Sequence, residues 1–249
     1  MKRSLSEAVA AGLPNSMDEA REQVAAACRI VARFGHEDLT LGHVSVRGPE
    51  PNTILVKGKG KALSEVTASD VITVRLDDER GHQVPGAHLE TVMHTEAYRA
   101  HPELGSVIHT HPVYGTAFGA TTGKLEFISH DAVLFRDGLS RYEGTGSLVT
   151  TREEGRAVVA ALGARRAVLL QNHGVLIVGE DVRWEVLAAV TLERAIQLQA
   201  IARGLGELAP LPQSSVDRLY PVKYPPEFVE EYWDAWCRVN NYDGGVGPS

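Results

Sequence analysis

The chain opens its regular patterning with Ser16-x-x-Glu19, a capping-box signature, followed by Val24, Cys28, Val31 and Phe34 at helical spacing up to Gly35. Short β-branched or alternating runs come next: His43–Arg47, Thr53–Lys57 and Val71–Asp77, with a further extended piece expected near Gln83-Val84. Strands this close together, with no helix between them, predict antiparallel pairing. A helix is predicted over Leu89–Arg99, a strand through Val107 and Ile108 to His111, and a helix over Val113–Phe118. Short apolar runs follow near Leu125–Ile128 and Val133–Phe135. Thr150-x-x-Glu153 reads as a second capping box opening a helix to Leu162. Ala167–Leu170 and Val175–Val178 read as buried strands, and Asp181 as the cap of a long helix to about Arg203. Ala209–Pro212 breaks the pattern before a last aromatic-rich helix, Phe228–Val239. The sum is an α/β domain, a largely antiparallel sheet covered by helices. The expected divisions are an extension over 1–15, a catalytic domain over 16–208, and a segment over 209–249 with one helix and a disordered Gly-rich tail.

Composition narrows the class. The 249 residues are 43% hydrophobic and 23% charged, which suits one large domain, and the net charge of -7 without a basic run argues against nucleic acid. No apolar run approaches a membrane span, and the Met1-Lys2-Arg3 start is interrupted at Glu7 before any signal-peptide core develops. Two isolated cysteines, Cys28 and Cys237, make no disulfide framework, so a cytoplasmic setting is expected.

The chemistry concentrates in His109-Thr-His111 at the end of a strand. Residues two apart on a strand share a face, so the two imidazoles project together. Chance on an exposed strand is one reading and a metal-ligand pair the other; His173, at the tip of another apolar strand, tips the balance to metal. Three imidazoles with an open position describe a catalytic rather than a closed structural site. Glu90 at a helix start reads either as a dipole-complementing carboxylate or as an acid/base aimed at the metal. His94, one turn on, reads as a packed or hydrogen-bonded residue. His36, His82 and His101 have surface explanations, whereas His43, His88 and His130 lie at element ends near the site. Lys57-Gly58-Lys59-Gly60-Lys61 is either a backbone anion loop or a solvated basic turn. Tyr220 and Tyr224 are packing residues, or one of them is a proton donor reaching a neighbouring subunit's site.

Together these segments resemble the class II aldolase/adducin family, from about Glu19 to Ala202. Gly42-His-Val-Ser-Val-Arg47, Val56-Lys57-Gly58, Gly86-Ala-His-Leu-Glu90, His109-Thr-His111-Pro112 and Asn172-His173-Gly174 fall in the family's order. The resemblance implies a three-layer αβα domain, a C4 homotetramer with sites between subunits, and a divalent metal on His109, His111 and His173. Zinc is the first expectation, with manganese, iron or cobalt as alternatives. It also implies Glu90 as the proton shuttle. The family's sugar-phosphate aldolases hold phosphate with Asn, Thr/Ser-Gly and Ser-Ser; here His43, Lys57-Gly58 and His88-Leu89 stand instead, and leucine donates no hydrogen bond. His43, Lys57, Gly58 and His88 therefore become the expected binding groups for a carboxylate, and His130, near a family tyrosine's place, a partner of Glu90. The expected activity is carbon–carbon lysis of a non-phosphorylated carboxylate substrate, first as decarboxylation of a hydroxylated aromatic or heteroaromatic acid. The alternatives are retro-aldol cleavage, oxidative cleavage on iron, and a non-enzymatic adducin-like assembly module.

Overall fold

The computed structural model describes residues 12–144 and 147–242. Most of the expected N-terminal extension and the Gly-rich tail lie outside the described residues. Among the described residues seven strands form one mixed sheet: β1 (His43–Arg47), β2 (Thr53–Lys57), β3 (Val71–Arg75), β4 (Ser106–Thr110), β5 (Ser140–Tyr142), β6 (Ala167–Leu170) and β7 (Gly174–Gly179). Their order is β3-β2-β1-β4-β7-β6-β5, and every pairing is antiparallel except β5 with β6. The described helices are α1 (Met17–Val31), α2 (Thr91–Ala100), α3 (Val113–Gly119), α4 (Arg152–Leu162), α5 (Val182–Leu205), α6 (Gln213–Lys223) and α7 (Pro226–Tyr242).

The period-2 alternation of the strands sends their side chains into two separate cores. Val44, Val46, Leu55, Ile108, Leu169, Val175 and Ile177 pack against α1 and α5, with Val216 of α6 and Val229 of α7 joining them. Ile54, Val56, Val107, Val168, Leu170, Leu176 and Val178 pack on the other face against α2 and α4. This is the expected three-layer αβα arrangement. Helix α5 is apolar almost all round because it lies within its layer, with Val186, Ala188, Leu192 and Ala195 all buried.

Caps fix the helix starts. Ser16 Oγ accepts the Glu19 N–H at 3.1 Å, while the Glu19 carboxylate accepts the Asn15 N–H at 2.7 Å. The second capping box sits one residue later than expected: Thr151 Oγ1 accepts the Glu154 N–H at 3.2 Å, and Glu154 accepts the Thr151 N–H at 2.9 Å. The piece near Gln83-Val84 forms no strand, since Gly81–Gln83 is a 3-10 turn and only Val84 is extended; Val133–Phe135 lies within another 3-10 turn, Ala132–Phe135. The C-terminal segment carries two helices rather than one, α6 being polar on most faces and containing Pro221.

One polar side chain in this core carries a measurable consequence. Glu185 of α5 is fully buried against Ser106 of β4, to which one carboxyl oxygen bonds, while Oε1 has no partner. Burial pushes its carboxyl well above the ordinary value of 4.5, so the fold favours the protonated form. Above that pH the unfolded chain ionises this group and the folded chain does not, so stability falls as pH rises. Glu185→Gln removes that slope. Urea unfolding should show wild type losing stability relative to the variant as pH rises from 4.5 to 8.

Candidate metal centre

The β4–β7 ladder builds the centre. Register pairs His109 with Leu176 and Thr110 with Val175, so the C-terminal end of β4 meets the β6–β7 hairpin that carries His173. Asn172 adopts φ +57 in that turn, a left-handed conformation Asn tolerates. His109 and His111 lie on one side, with ring centroids 4.9 Å apart, and His173 stands 4.9 and 5.1 Å from them. Glu90 occupies the N-cap position of α2, with its Oε2 3.4 Å from the Nε2 atoms of His109 and His173. One donor atom from each of Glu90, His109, His111 and His173 lies within 4.8 Å of the others.

Tautomers make these donors into ligands. His109 Nδ1–H donates to the Val175 carbonyl at 3.0 Å, and His111 Nδ1–H donates to Asp38 Oδ2 at 3.0 Å. Each ring then presents a lone pair at Nε2, and the two Nε2 atoms are 3.1 Å apart with no proton to share. Two nitrogens on one tetrahedral ion at about 2.0–2.1 Å stand about 3.3 Å apart, so a cation resolves this contact. Among the described residues the buried Nε2 of His173 has no hydrogen-bond partner. These residues fit a divalent metal.

Electrostatics favours the same state. Burial holds His111 below its ordinary value, its neighbour His109 adding to the effect. Burial alone raises the Glu90 carboxyl, but the adjacent imidazoles of His109 and His173 outweigh it and hold the group well below the usual range. Glu90 is thus an anion with both oxygens engaged, since Oε1 accepts the Val149 N–H at 2.9 Å. It faces the histidines and is no simple complement to a helix dipole.

The expected binding groups gather beside the centre, in altered roles. His43 pairs with His109 across the β1–β4 ladder, rings 5.2 Å apart, and its ring lies 4.8 Å from that of His88. Lys57 is fully buried: Nζ donates to the Thr40 carbonyl at 3.1 Å and to His88 Nε2 at 3.3 Å. Among the described residues no carboxylate forms an ion pair with it. Burial pushes its ammonium down and holds His88 at about 4. Of the two readings of Lys57–Lys61, the solvated turn describes exposed Lys59, Gly60 and Lys61, while two of the amides an anion loop would use are taken: the Gly58 N–H donates to the Asp70 carbonyl and the Lys59 N–H to the Gly86 carbonyl, both at 2.8 Å. Gly58 serves close packing, since a Cβ there would sit 2.8 Å from the Asp70 oxygen.

His130 and Tyr220 do not join the centre within one chain. The His130 side chain is exposed, and its carbonyl accepts the Tyr224 hydroxyl at 3.0 Å. Tyr220 stacks on Arg136 at 3.9 Å and lines a cavity of about 230 Å³ with Arg166, Gly179 and Glu180. That cavity lies at the opposite end of β7 from His173. His36 and His82, expected at the surface, are buried; His36 bridges Thr110 Oγ1 at 2.8 Å and the Ala189 carbonyl at 3.1 Å. Sequence reasoning missed Asp38, Val149 and Glu193. Glu193 accepts the N–H groups of Tyr114 and Gly115, both at 2.8 Å, and so anchors the helix that follows His111. Its signal was a carboxylate within the apolar pattern of α5.

The family model for the Class II Aldolase and Adducin N-terminal domain matches residues 22–200. The chain belongs to that family, and it is an enzyme of the lyase kind. The 3,4-dihydroxyphthalate decarboxylase of Arthrobacter keyseri is 32% identical over 220 residues, 80% of this chain and 86% of that protein. Decarboxylase NovR of Streptomyces niveus is 30% identical over 194 residues, 76% of this chain and 71% of that protein. The L-fuculose 1-phosphate aldolase of Glaciozyma antarctica shares the fold, with a TM-score of 0.78 at 22% identity, covering 97% of this chain and 94% of that one. Among the described residues no helix is long and apolar enough to cross a membrane.

Two measurements test this centre. A Cβ at Gly174 would lie 2.5 Å from the Thr110 carbonyl oxygen and 2.6 Å from His111 Cδ2. Gly174→Ala should therefore weaken metal binding about tenfold to a hundredfold by displacing His111, read by competition with a chelating dye. Burial also lowers His36 to about 4 and His94 to about 3, from an ordinary 6.5. As pH falls below 6.5 the unfolded chain protonates these rings and the fold does not, at about 1.4 kcal/mol per unit of difference. In the Glu185→Gln background, which removes one of the opposing buried carboxyls (Glu193 is another), urea unfolding should show stability dropping from pH 6.5 toward 4 more steeply than in the wild type.

Proposed function

We propose that this chain is a metal-dependent decarboxylase acting on a non-phosphorylated, hydroxylated aromatic or heteroaromatic acid. The observation that carries the reading is Lys57, a buried ammonium without a carboxylate partner, sealed behind His88 and His43 beside the metal ligands. A buried charge without a counter-ion is costly, and an anionic substrate relieves it. The relatives named as decarboxylases point the same way.

His109, His111 and His173 would hold the ion, with Glu90 beside it; zinc suits an imidazole-rich tetrahedral set, and manganese, iron or cobalt are alternatives. A divalent cation held there supplies the Lewis-acid charge that stabilises the electron pair left by carbon–carbon cleavage. Glu90 keeps Oε2 toward the centre because Val149 holds Oε1. Its carboxylate takes the proton of the substrate hydroxyl and returns it to the ring carbon as carbon dioxide leaves, so protons and electrons balance. His43, His88 and Lys57 favour the substrate's negative charge. Leu89, 68% exposed next to Glu90, offers apolar surface to a ring. A homotetramer with sites between subunits completes the reading, and only there do His130 and Tyr220 gain a role, each toward a neighbouring copy.

The test uses protein stripped with a chelator, reloaded separately with zinc, manganese, cobalt or iron(II), and offered a panel of aromatic hydroxy acids and hydroxy-keto acids. Carbon dioxide should appear with an aromatic hydroxy acid, and His109→Ala should lose the metal and fall to background while the fold persists. Aldehyde release without carbon dioxide would replace the proposal with aldol cleavage. Oxygen consumption with iron(II) would replace it with oxidative cleavage, and activity unchanged in His109→Ala would overturn it.

A further inference from the structure

His43 is held from behind by a buried file of hydrogen bonds. His43 Nδ1 and His94 Nε2 are 2.7 Å apart, His94 Nδ1 and Ser45 Oγ are 2.7 Å apart, and Ser45 Oγ lies 3.1 Å from the Tyr98 hydroxyl. The elements dictate this file. His43 and Ser45 share one face of β1, and His94 and Tyr98 stand one turn apart on α2 above it. Ser45 and His94 are fully buried and Tyr98 is 2% exposed.

The contact distances assign a direction. The single Tyr98 hydroxyl proton goes to the Ser45 carbonyl at 3.0 Å. The Ser45 hydroxyl has three neighbours: His94 Nδ1 at 2.7 Å, the Tyr98 oxygen at 3.1 Å and the Val107 carbonyl at 3.4 Å. Its proton belongs on the shortest contact, to His94 Nδ1. His94 then carries its own proton on Nε2 and donates it to His43 Nδ1. His43 is left with its proton on Nε2, which no hydrogen bond among the described residues reaches.

We propose that His94 is a positioning residue that locks His43 in the Nε2–H tautomer, making His43 a fixed hydrogen-bond donor to a substrate carboxylate oxygen beside the metal centre. The carboxylate as recipient rests on the proposed function; the tautomer lock does not. The file is a clamp and no proton wire. It ends at a tyrosine sealed from water, so a proton surrendered by His43 could be replaced from that side only by leaving a phenolate in the core. His43 therefore orients its partner and keeps its proton, and the proton delivered to carbon comes from Glu90.

Solid-state NMR of zinc-loaded protein carrying ¹³C,¹⁵N-labelled histidine reads the tautomer directly, with His43→Asn assigning the resonance. His43 should be protonated at Nε2 in the wild type. His94→Phe should populate both tautomers, and His94→Gln, whose amide can still donate to Nδ1, should keep one. Ser45→Ala should also release the tautomer, and it decides the matter if His94→Phe does not fold. A wild-type proton on Nδ1, or an unchanged Nε2–H form in Ser45→Ala, overturns the clamp.

Calorimetry with salicylate as the probe reads the donor role. His43→Phe should weaken binding about tenfold and His94→Phe about twofold, as when half the rings carry the proton on Nδ1, the double variant no further than His43→Phe, with zinc content unchanged. Unaltered affinity in His43→Phe overturns the donor role. A wild type that ignores salicylate while the tautomer behaves as stated would count against the carboxylate reading alone, leaving the clamp in place.

Discussion

The pairing of β4 with β7 is the constraint on which the centre depends. Its register sets the end of one strand against the tip of a hairpin, so ligands 62 residues apart in sequence, His111 and His173, meet with rings 5.1 Å apart. Backbone groups of the same ladder region then choose the chemistry: the Val175 carbonyl takes one imidazole proton and leaves a lone pair facing inward. Gly174 lets the strands come close enough for this, because a side chain there would meet both Thr110 and His111. Fold and reactivity are therefore set by the same few residues.

Around that point the structure places groups in a graded order. Glu90 faces the ligands with its other oxygen tied to backbone. His43 follows across the ladder, braced by α2, and Lys57 lies farther back behind His88. Each added group is buried more deeply than a solvent-facing residue of its type, and each is neutral or cationic. Glu90 is the carboxylate that faces the ligands, while Asp38 stands behind His111.

Much of this was legible in the chain because its strongest signals are local. Strands β1 and β2 are read to the residue from β-branched patterning, His109 and His111 follow from period 2, and the Ser16 and Asp181 caps follow from side-chain chemistry. What escaped depends on partners distant in sequence. Strand β5 is three residues, Ser140–Tyr142, with no apolar run, and exists because it pairs with β6. Helix α6 contains Pro221 and is held by burying Val216. The basic run at Lys57 looked solvated or anion-binding because charge ordinarily seeks water, and Lys59 and Lys61 are exposed; the burial of Lys57 and the use of the Gly58 amide by Asp70 appear only once β2, β3 and the His88 loop are assembled.

The sealed ammonium of Lys57 has one further consequence. A cation in a low-dielectric interior, out of reach of any ligand atom, acts through its long-range field and not through contact. Such a field discriminates by sign and ignores outline. A pocket built on it would separate ionised from uncharged molecules sharply, yet treat anions of differing ring size almost alike, leaving shape to be judged by the residues at the rim.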